Sequence, residues 1–169
     1  MNSSLLQKLI IVVVGEKSIG KTSLIRRYIE NFFNEQEIVT IGADYYKKIV
    51  NDKIQLDIWD TSGGERYLPI TINYCNNADI ILYVHCVSES YDIFQNWLTA
   101  TRYTLMPKKK KIYVIISKMD NYNSNYDESL KKIKKKCSEL KISIFQISSK
   151  KDSSEIVNMF NYIVTNNIL

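Results

Sequence analysis

The sequence contains few of the residues that interrupt secondary structure. It has five glycines and two prolines, and no glycine occurs after Gly64. No linker rich in glycine, proline or serine divides the chain, and no segment repeats. A chain of 169 residues buries one sizeable core rather than two. We therefore expect a single domain over residues 1–169, with a C-terminal tail that is absent or very short.

Long apolar runs and secretion features are also missing. The longest apolar run, from Leu9 to Val14, has the length of a strand and is too short to cross a bilayer. The N-terminal segment MNSSLLQK lacks a basic region followed by an adequate apolar stretch, so we expect no signal peptide. The three cysteines are widely spaced and form no metal-ligand pattern. These absences favour a cytoplasmic protein with reduced thiols.

Positive charge exceeds negative charge. The formal net charge is +5, and lysines concentrate in two runs, KKKK at 108–111 and KKIKKK at 131–136. Such runs can bind nucleic acid or an anionic membrane surface, or simply form a solvated basic face. No aromatic residues alternate with the lysines, as a stacking surface for bases would require. We favour the solvated face and expect no nucleic-acid partner.

Hydrophobic periodicity predicts an α/β fold. Continuous apolar runs rich in β-branched residues indicate buried strands, and segments with helical spacing lie between them. The expected strands are 8–14, 45–50, 54–59, 79–87, 111–117 and 142–147, and the expected helices are 21–33, 67–76, 90–105, 126–138 and 152–165. The turn Asn51-Asp52 makes the second and third strands a hairpin. We therefore predict a six-stranded, mostly parallel sheet with one antiparallel strand and about five helices on both faces.

A phosphate-binding pattern joins the first strand to the first helix. Residues 15–22 read GEKSIGKT and fit G-x-x-x-x-G-K-[ST]. The glycines allow backbone N–H groups to wrap a phosphate, and the helix N-terminus adds partial positive charge. Lys21 would reach the β- and γ-phosphates, and the Thr22 hydroxyl would bind Mg²⁺. The alternative is an ordinary glycine turn with a helix cap, but the flanking strand and helix favour nucleoside triphosphate binding.

Three later segments extend this pattern. DTSG at 60–63 follows a predicted strand and fits D-x-x-G, SKMD at 117–120 ends the fifth strand, and SSK at 148–150 follows the sixth. Together with Thr40, these segments resemble the motif set of the Ras superfamily of small GTPases. The resemblance runs over essentially the whole chain.

Within that superfamily the sequence resembles the Rab branch. TIGADY at 40–45 resembles the Rab pattern T-I-G-V-D-F, and LDIWDT at 56–61, ERY at 65–67 and the region of Trp97 resemble further Rab segments. The resemblance implies a P-loop GTPase domain that acts as a GTP/GDP switch in intracellular vesicle trafficking. It implies Mg²⁺ as cofactor, and exchange factors, GTPase activators and effectors as partners. The expected protein is a monomer, peripheral on the cytosolic face of endomembranes only if a lipidated tail lies beyond this chain.

The resemblance also assigns roles to individual residues. Nucleotide binding falls to Thr40 and to residues of the four motifs, namely Gly15, Lys17, Ser18, Ile19, Gly20, Lys21, Thr22, Ser23, Gly63, Ser117, Lys118, Asp120, Ser148, Ser149 and Lys150. Mg²⁺ would be held by Thr22, Thr40 and, through water, Asp60. Two loops would order around the γ-phosphate and relax when it is lost: the first switch, residues 35–43, and the second switch, residues 60–75. Rab partners would read Ile41, Tyr45, Trp59 and Tyr74.

The catalytic set implied by the family is Lys21, Thr40 and Gly64, and its last member is a departure. Most Ras-like GTPases carry a glutamine at the position of Gly64, where it orients the attacking water. Lys17 departs too, because the family usually has a small residue there. Lys17 could obstruct a partner's arginine, place its charge near the γ-phosphate, or point to solvent. We expect slow intrinsic hydrolysis and poor stimulation by activators that rely on the missing glutamine.

Two other functions fit parts of the sequence. The chain could be a nucleotide-dependent recruitment module that hydrolyses little, which assays with and without activators would distinguish. It could also be a small P-loop kinase, but such an enzyme needs an acceptor site and an arginine-rich lid. The chain has four arginines, Arg26, Arg27, Arg66 and Arg102, so we consider the kinase the weaker alternative.

Base selection would depend on the last two motifs. The Asp120 carboxylate can accept both N–H groups on the Watson–Crick edge of guanine, a pair that adenine does not offer. The stem of Lys118 would lie along the ring, and the Ser149 amide would reach the guanine oxygen. Ser117 replaces the asparagine usual in this family, and it has no amide to bridge the base and the phosphate loop.

We predict that Ser117→Asn slows GDP release. One regained hydrogen bond contributes about 1 kcal/mol, so the off-rate should fall about fivefold. Displacement of a fluorescent GDP analogue measures this rate, with Ser138→Asn, outside every motif, as the matched control. An off-rate that Ser117→Asn leaves unchanged would contradict the prediction.

Overall fold

The computed structural model describes residues 6–105 and 110–168, in which six strands and five α-helices alternate. The strands are β1 Gln7–Val14, β2 Ala43–Val50, β3 Ile54–Thr61, β4 Ile80–Cys86, β5 Lys111–Ser117 and β6 Ser143–Gln146. The helices are α1 Lys21–Glu30, α2 Leu68–Asn77, α3 Tyr91–Leu105, α4 Asp127–Glu139 and α5 Ser154–Thr165. Short 3₁₀ turns, which the sequence did not predict, lie at Glu65–Tyr67, Met119–Asn121 and Ser124–Tyr126.

The strands form one sheet in the order β2-β3-β1-β4-β5-β6. β2 runs antiparallel to β3, and every other neighbouring pair is parallel. This arrangement confirms the predicted mostly parallel sheet with one antiparallel strand. Along β1, Ile11 and Val13 pack into one core while Val12 and Val14 pack into another. Because helices cover both faces, the strand is apolar at every one of these positions.

Each face of the sheet has its own hydrophobic core. On one face α1 and α5 contribute Leu24 and Phe160, and the rings of Tyr28 and Phe160 stack with centroids 3.7 Å apart. On the other face α2, α3 and α4 contribute Cys75, Phe94 and Ile133 to the second core. The two cores fix the sheet between helical layers, so the loops at its edges are held on a rigid base.

The carboxyl ends of the parallel strands meet at one edge of the sheet. The register pairs Val13 with Asp60 and Cys86 with Ser117. Neighbouring strands lie about 4.8 Å apart, so the loops that leave these ends start side by side. Ligands of open α/β sheets bind in the crevice outside this edge.

The first helix is shorter than predicted. We expected a helix over residues 21–33, but α1 ends at Glu30, and Asn31 takes a left-handed conformation with φ of 52°. Its backbone N–H returns to the carbonyl of Arg26 and caps the helix. Phe32 then lies on the surface, where the Arg26 guanidinium covers its ring at 4.5 Å. The helical spacing of Phe32 was therefore misleading, and the prediction was wrong by three residues.

The basic run of α4 forms a solvated helix face. Ile133 is buried, whereas Lys131, Lys132, Lys134 and Lys135 are exposed. Residues 108–109 of the other run lie outside the described residues. Among the described residues, none of the helices is long and apolar enough to cross a membrane.

The lone histidine and the cysteines lie in the core. His85 is fully buried, and burial lowers the pKa of its ring to about 4, so the ring is neutral at physiological pH. All three cysteines are buried free thiols. These positions fit structural roles rather than catalytic ones.

We predict that Phe160→Ala lowers the free energy of unfolding by about 3–5 kcal/mol, because it removes a fully buried ring and leaves a cavity. Val157→Ala on the same helix removes a side chain that is 36% exposed and should cost under about 1 kcal/mol. Urea unfolding followed by circular dichroism measures both. Equal losses for the two variants would contradict the assignment of Phe160 to the core.

Candidate functional site

The loop between β1 and α1 has a backbone that requires glycine at two positions. Gly15 has φ of 138°, and a Cβ there would lie 2.3 Å from the carbonyl oxygen of Val84. Gly20 has φ of 98° and forms the N-cap of α1. A side chain would strain the loop at either position. Because α1 begins at Lys21, the free N–H groups of its first turn border this loop.

A buried ammonium group occupies the centre of this loop. The Lys21 Nζ donates to the carbonyl oxygens of Gly15 at 3.0 Å and Glu16 at 2.6 Å. Burial lowers the pKa of Lys21 to about 8, and the carboxylate of Asp60 opposes this shift. Lys21 is bonded to neutral carbonyls rather than to a carboxylate, so its charge is available to an anionic ligand.

Two residues of the SKMD motif hold the loop from the other side. The Lys118 Nζ donates to the carbonyl of Ser18 at 2.8 Å, and the Ser117 hydroxyl donates to the carbonyl of Ile19 at 2.6 Å. Ser117 thus keeps a hydrogen bond to the phosphate loop, although a serine has no amide to bridge this loop and a base. Ser117 is 1% exposed, so its hydroxyl is buried in this contact with the loop.

Three oxygen-bearing side chains from distant segments meet beside the loop. The Thr22 Oγ1 donates to Asp60 Oδ2 at 2.6 Å, and Thr40 Oγ1 donates to the same oxygen at 3.2 Å. The two threonine hydroxyl oxygens are 3.1 Å apart. The three predicted metal ligands therefore come together, although residues 22, 40 and 60 lie in α1, the first switch and β3.

This corner fits Mg²⁺. The other carboxylate oxygen of Asp60, Oδ1, is buried without a hydrogen-bond partner, which costs free energy unless a ligand satisfies it. Burial raises the pKa of Asp60 to about 6, and the hydrogen bonds from Thr22 and Thr40 oppose that rise. Hydroxyl and carboxylate oxygens are the hard ligands that Mg²⁺ prefers.

A cavity of about 370 Å³ lies over this loop and over the place where Thr22, Thr40 and Asp60 meet, which we call the metal corner. It brings together thirteen of the predicted nucleotide-binding residues, which are Lys17, Ser18, Gly20, Lys21, Thr22, Ser23, Thr40, Gly63, Ser117, Lys118, Asp120, Ser149 and Lys150. The other predicted residues, Gly15, Ile19 and Ser148, lie behind its wall and are buried. The volume is in the usual range of small-ligand sites.

The far end of the cavity carries the residues predicted to select a base. The Ser148 hydroxyl donates to Asp120 Oδ1 at 2.5 Å and so orients the carboxylate. The Arg27 Nε donates to the carbonyl of Ser149 at 2.8 Å, which ties this loop to α1. Asp120 and Ser149 therefore line the cavity from supported positions.

Several cavity residues were missed by sequence reasoning. Phe33, expected in a helix, instead lines the cavity and offers an aromatic ring there. Lys150 pairs with Glu35 at 2.5 Å, and Arg26 pairs with Glu37 at 3.0 Å. Both pairs tie the first switch to neighbouring elements. No spacing in the sequence marks them, because each joins residues that meet only in the folded chain.

The paired glycines differ in their surroundings. A Cβ at Gly63 would lie 2.3 Å from backbone atoms of Glu16 and Lys17, so this glycine packs directly on the phosphate loop. A Cβ at Gly64 would lie 3.5 Å from the Tyr67 ring, an ordinary contact. Gly63 is therefore required by packing, whereas Gly64 is not. Lys17 is exposed and lines the cavity.

The aromatic residues predicted to meet partners lie together, with Trp59 and Tyr74 partly buried against the second core. The ring of Trp59 is 5.0 Å from that of Tyr45 and 4.4 Å from that of Tyr74. Tyr45 is 47% exposed, and Ile41 in the first switch is 76% exposed. The rings thus form one contiguous cluster, of which Tyr45 is the exposed member.

Comparison with known proteins finds similar sequences over most of the chain. The chain matches the Ras family over residues 10–168. It is 30% identical to the Ras-related protein Rab-1C of Dictyostelium discoideum over 85% of this chain and 73% of that protein. It is 33% identical to Rab-18 of Lymnaea stagnalis over 72% of this chain and 63% of that protein. With human Rab-3A the identity is 40% over 53% of this chain and 43% of that protein.

We predict that Gly63→Ala weakens binding of a GTP analogue about tenfold or more and lowers the melting temperature, because the added methyl group must push the phosphate loop aside. Gly64→Ala is the matched control, and its stability should change by less than about 0.5 kcal/mol. Nucleotide titration and thermal melting measure both effects. Equal affinities for the two variants would contradict the contact between Gly63 and the loop.

Proposed function

The chain belongs to the Ras family of small GTPases, and we propose that it acts as a guanine-nucleotide switch of the Rab type. The observation that carries this proposal is the convergence of Thr22, Thr40 and Asp60 on one point beside the buried Lys21. It joins the phosphate loop, the first switch and the end of β3. A triphosphate bound with Mg²⁺ can therefore be sensed by both switches at once.

Guanine is the base that the far end of the cavity favours. A carboxylate at Asp120, supported by Ser148, accepts two N–H groups and discriminates against adenine, which lacks that donor pair. Lys118 lines the same part of the cavity, and its stem offers an apolar surface to a ring. The ring of Phe33 provides a second surface.

The first switch is built to order and relax. It reaches the metal corner through Thr40, while Ile38 is 88% exposed and Val39 is 48% exposed. Near its end, the Ser62 N–H donates to the Gly42 carbonyl at 2.8 Å, and its start is held by the ion pairs of Glu35 with Lys150 and Glu37 with Arg26. Such partly exposed pairs contribute at most about 1 kcal/mol each. A segment with few buried contacts opens at low cost in free energy, so a γ-phosphate contact at Thr40 can decide its state.

Hydrolysis of GTP is the proposed reaction, and this site would perform it slowly. The Lys21 ammonium stabilises charge on the β- and γ-phosphates, and bound Mg²⁺ supplies further charge neutralisation there. The Gly63 backbone lies against the phosphate loop, where its N–H would meet the γ-phosphate. Gly64 has no side chain to orient the attacking water, so that contribution to the rate is missing.

Partners would bind where the two switches adjoin the aromatic residues. Ile41 and Tyr45 are exposed, and the Tyr45 ring contacts the cluster of Trp59 and Tyr74, which are partly buried. Effectors, exchange factors and activators of Rab proteins are the proposed partners, and the chain would act as a monomer in vesicle traffic. The proposed location is the cytosol or the cytosolic face of endomembranes.

A recruitment module that binds GTP but hydrolyses little is the second candidate function. The absence of a side chain at Gly64 favours it, because partner recruitment needs the bound triphosphate and not its cleavage. The two functions share one binding site and differ in turnover. An activator that brings its own glutamine would restore hydrolysis in the first case only.

Nucleotide identity and turnover test the proposal. We expect purified protein to carry GDP or GTP, to bind both with Mg²⁺, and to hydrolyse GTP slowly in single-turnover assays. Gly64→Gln should raise the rate roughly ten- to hundredfold, because a Cβ in the space beside Tyr67 and Ser62 makes only ordinary contacts and a glutamine amide can position the attacking water. Gly64→Ala fills part of that space without an amide and should leave the rate low. Wild-type hydrolysis at ordinary Rab rates, unaffected by Gly64→Gln, would overturn the expected slow chemistry.

A further inference from the structure

Glu16, the second residue of the phosphate loop, joins three parts of the site. Its carbonyl accepts a hydrogen bond from the Lys21 Nζ at 2.6 Å. The backbone between Glu16 and Lys17 packs against Gly63 so closely that a Cβ on Gly63 would lie 2.3 Å away. A shift of Glu16 would therefore move both the phosphate-binding lysine and the contact with the second switch.

The Glu16 side chain carries a negative charge within the loop that would bind negatively charged phosphates. A nucleotide brings negative phosphates to this loop, and a carboxylate in the cavity would repel them. It would also compete for Lys21, since Glu16 already acts on the Lys21 charge electrostatically. Glu16 is nevertheless missing from the residues that line the cavity, although its neighbours Lys17 and Ser18 line it.

The reason lies in α3. The Trp97 Nε1 donates a hydrogen bond to Glu16 Oε1 at 2.9 Å, in a partly buried contact. The indole is held in place by Tyr83 of β4, whose ring stacks on it with centroids 5.2 Å apart and planes 22° apart. A donor on a packed, rigid ring holds its acceptor in one position. The carboxylate is thus bonded to α3 and directed away from the phosphates.

We propose that Trp97 is a positioning residue for the nucleotide, which holds the Glu16 carboxylate out of the phosphate cavity and leaves Lys21 to the ligand. The inference rests on the proposed function, because it assumes that phosphates bind at Lys21. It goes beyond that function by assigning to α3 a part in nucleotide affinity. Without the indole N–H, the carboxylate turns toward Lys21, and repulsion grows with the number of phosphate charges. Loss of affinity should therefore be larger for a triphosphate than for a diphosphate.

The test is a double-mutant cycle of Trp97→Phe and Glu16→Gln, read as dissociation constants for GDP and for a non-hydrolysable GTP analogue. Trp97→Phe keeps an aromatic ring against Tyr83 and removes the donor. It should weaken binding of the GTP analogue about tenfold or more, as expected for one charge-assisted hydrogen bond, and binding of GDP by less. Glu16→Gln removes the negative charge near Lys21, so it should bind both nucleotides at least as tightly as wild type, and the double variant should recover from the Trp97→Phe level to the level of Glu16→Gln.

Matched controls separate the proposed role from damage to the fold. Tyr83→Phe removes a hydroxyl from the stacked ring and leaves the bond between Trp97 and Glu16 intact, so its nucleotide affinity should equal that of wild type. Glu16→Asp keeps the charge but shortens the side chain beyond reach of the indole, so it should reproduce the loss seen in Trp97→Phe. This second route applies even where Trp97→Phe does not fold.

The outcomes are distinct. A Trp97→Phe protein with wild-type affinity, or with equal losses for GDP and the GTP analogue, would overturn the role of Trp97. A double variant as weak as Trp97→Phe would assign the loss to ring packing and would also overturn it. Wild-type protein that binds neither nucleotide would instead overturn the proposed function itself.

Discussion

The hydrogen bonds from the buried Lys21 ammonium to the carbonyls of Gly15 and Glu16 hold the site together. They bend the segment after β1 back over the start of α1, so backbone N–H groups surround a single space. The bend is possible because Gly15 and Gly20 accept positive φ. Lys118 and Ser117 secure the same loop from the neighbouring strand end. The SKMD segment and the loop after β1 are therefore one connected hydrogen-bonded unit.

The sheet explains why such distant motifs meet. Parallel strands bring Asp60 and Ser117 to the same edge as the phosphate loop, because β3, β1, β4 and β5 are neighbours in that order. Two separate cores fix this edge from both faces, and the loops that leave it carry the side chains of the site. The helix α1 and the strand β3 position Thr22 and Asp60, and the loop before β2 positions Thr40. Metal binding at this corner would thus depend on the position of the loop that carries Thr40.

The sequence predicted those features of the fold that depend on local residue patterns. The six strands, the mostly parallel sheet with one antiparallel strand and the phosphate loop followed from apolar periodicity and fixed spacing. The end of α1 did not, because Phe32 continued the helical spacing past Asn31, where the backbone turns left-handed. The bond from Ser117 to Ile19 and the bond from Trp97 to Glu16 join residues far apart in the chain. Such contacts exist only once both cores have formed, so no local pattern indicates them.

The exposure of the first switch has a consequence for the behaviour of the protein in solution. Residues 38–41 read Ile-Val-Thr-Ile, an uncharged and mostly β-branched run that leads into β2. β2 is an edge strand of the sheet that the described residues form, and an exposed segment of high β-propensity beside an edge strand is a template for self-association. Lys47 and Lys48 within β2 add the charge that discourages such pairing. Losing the contact at Thr40 would free this run, so aggregation is the hazard that accompanies an emptied or loosened site.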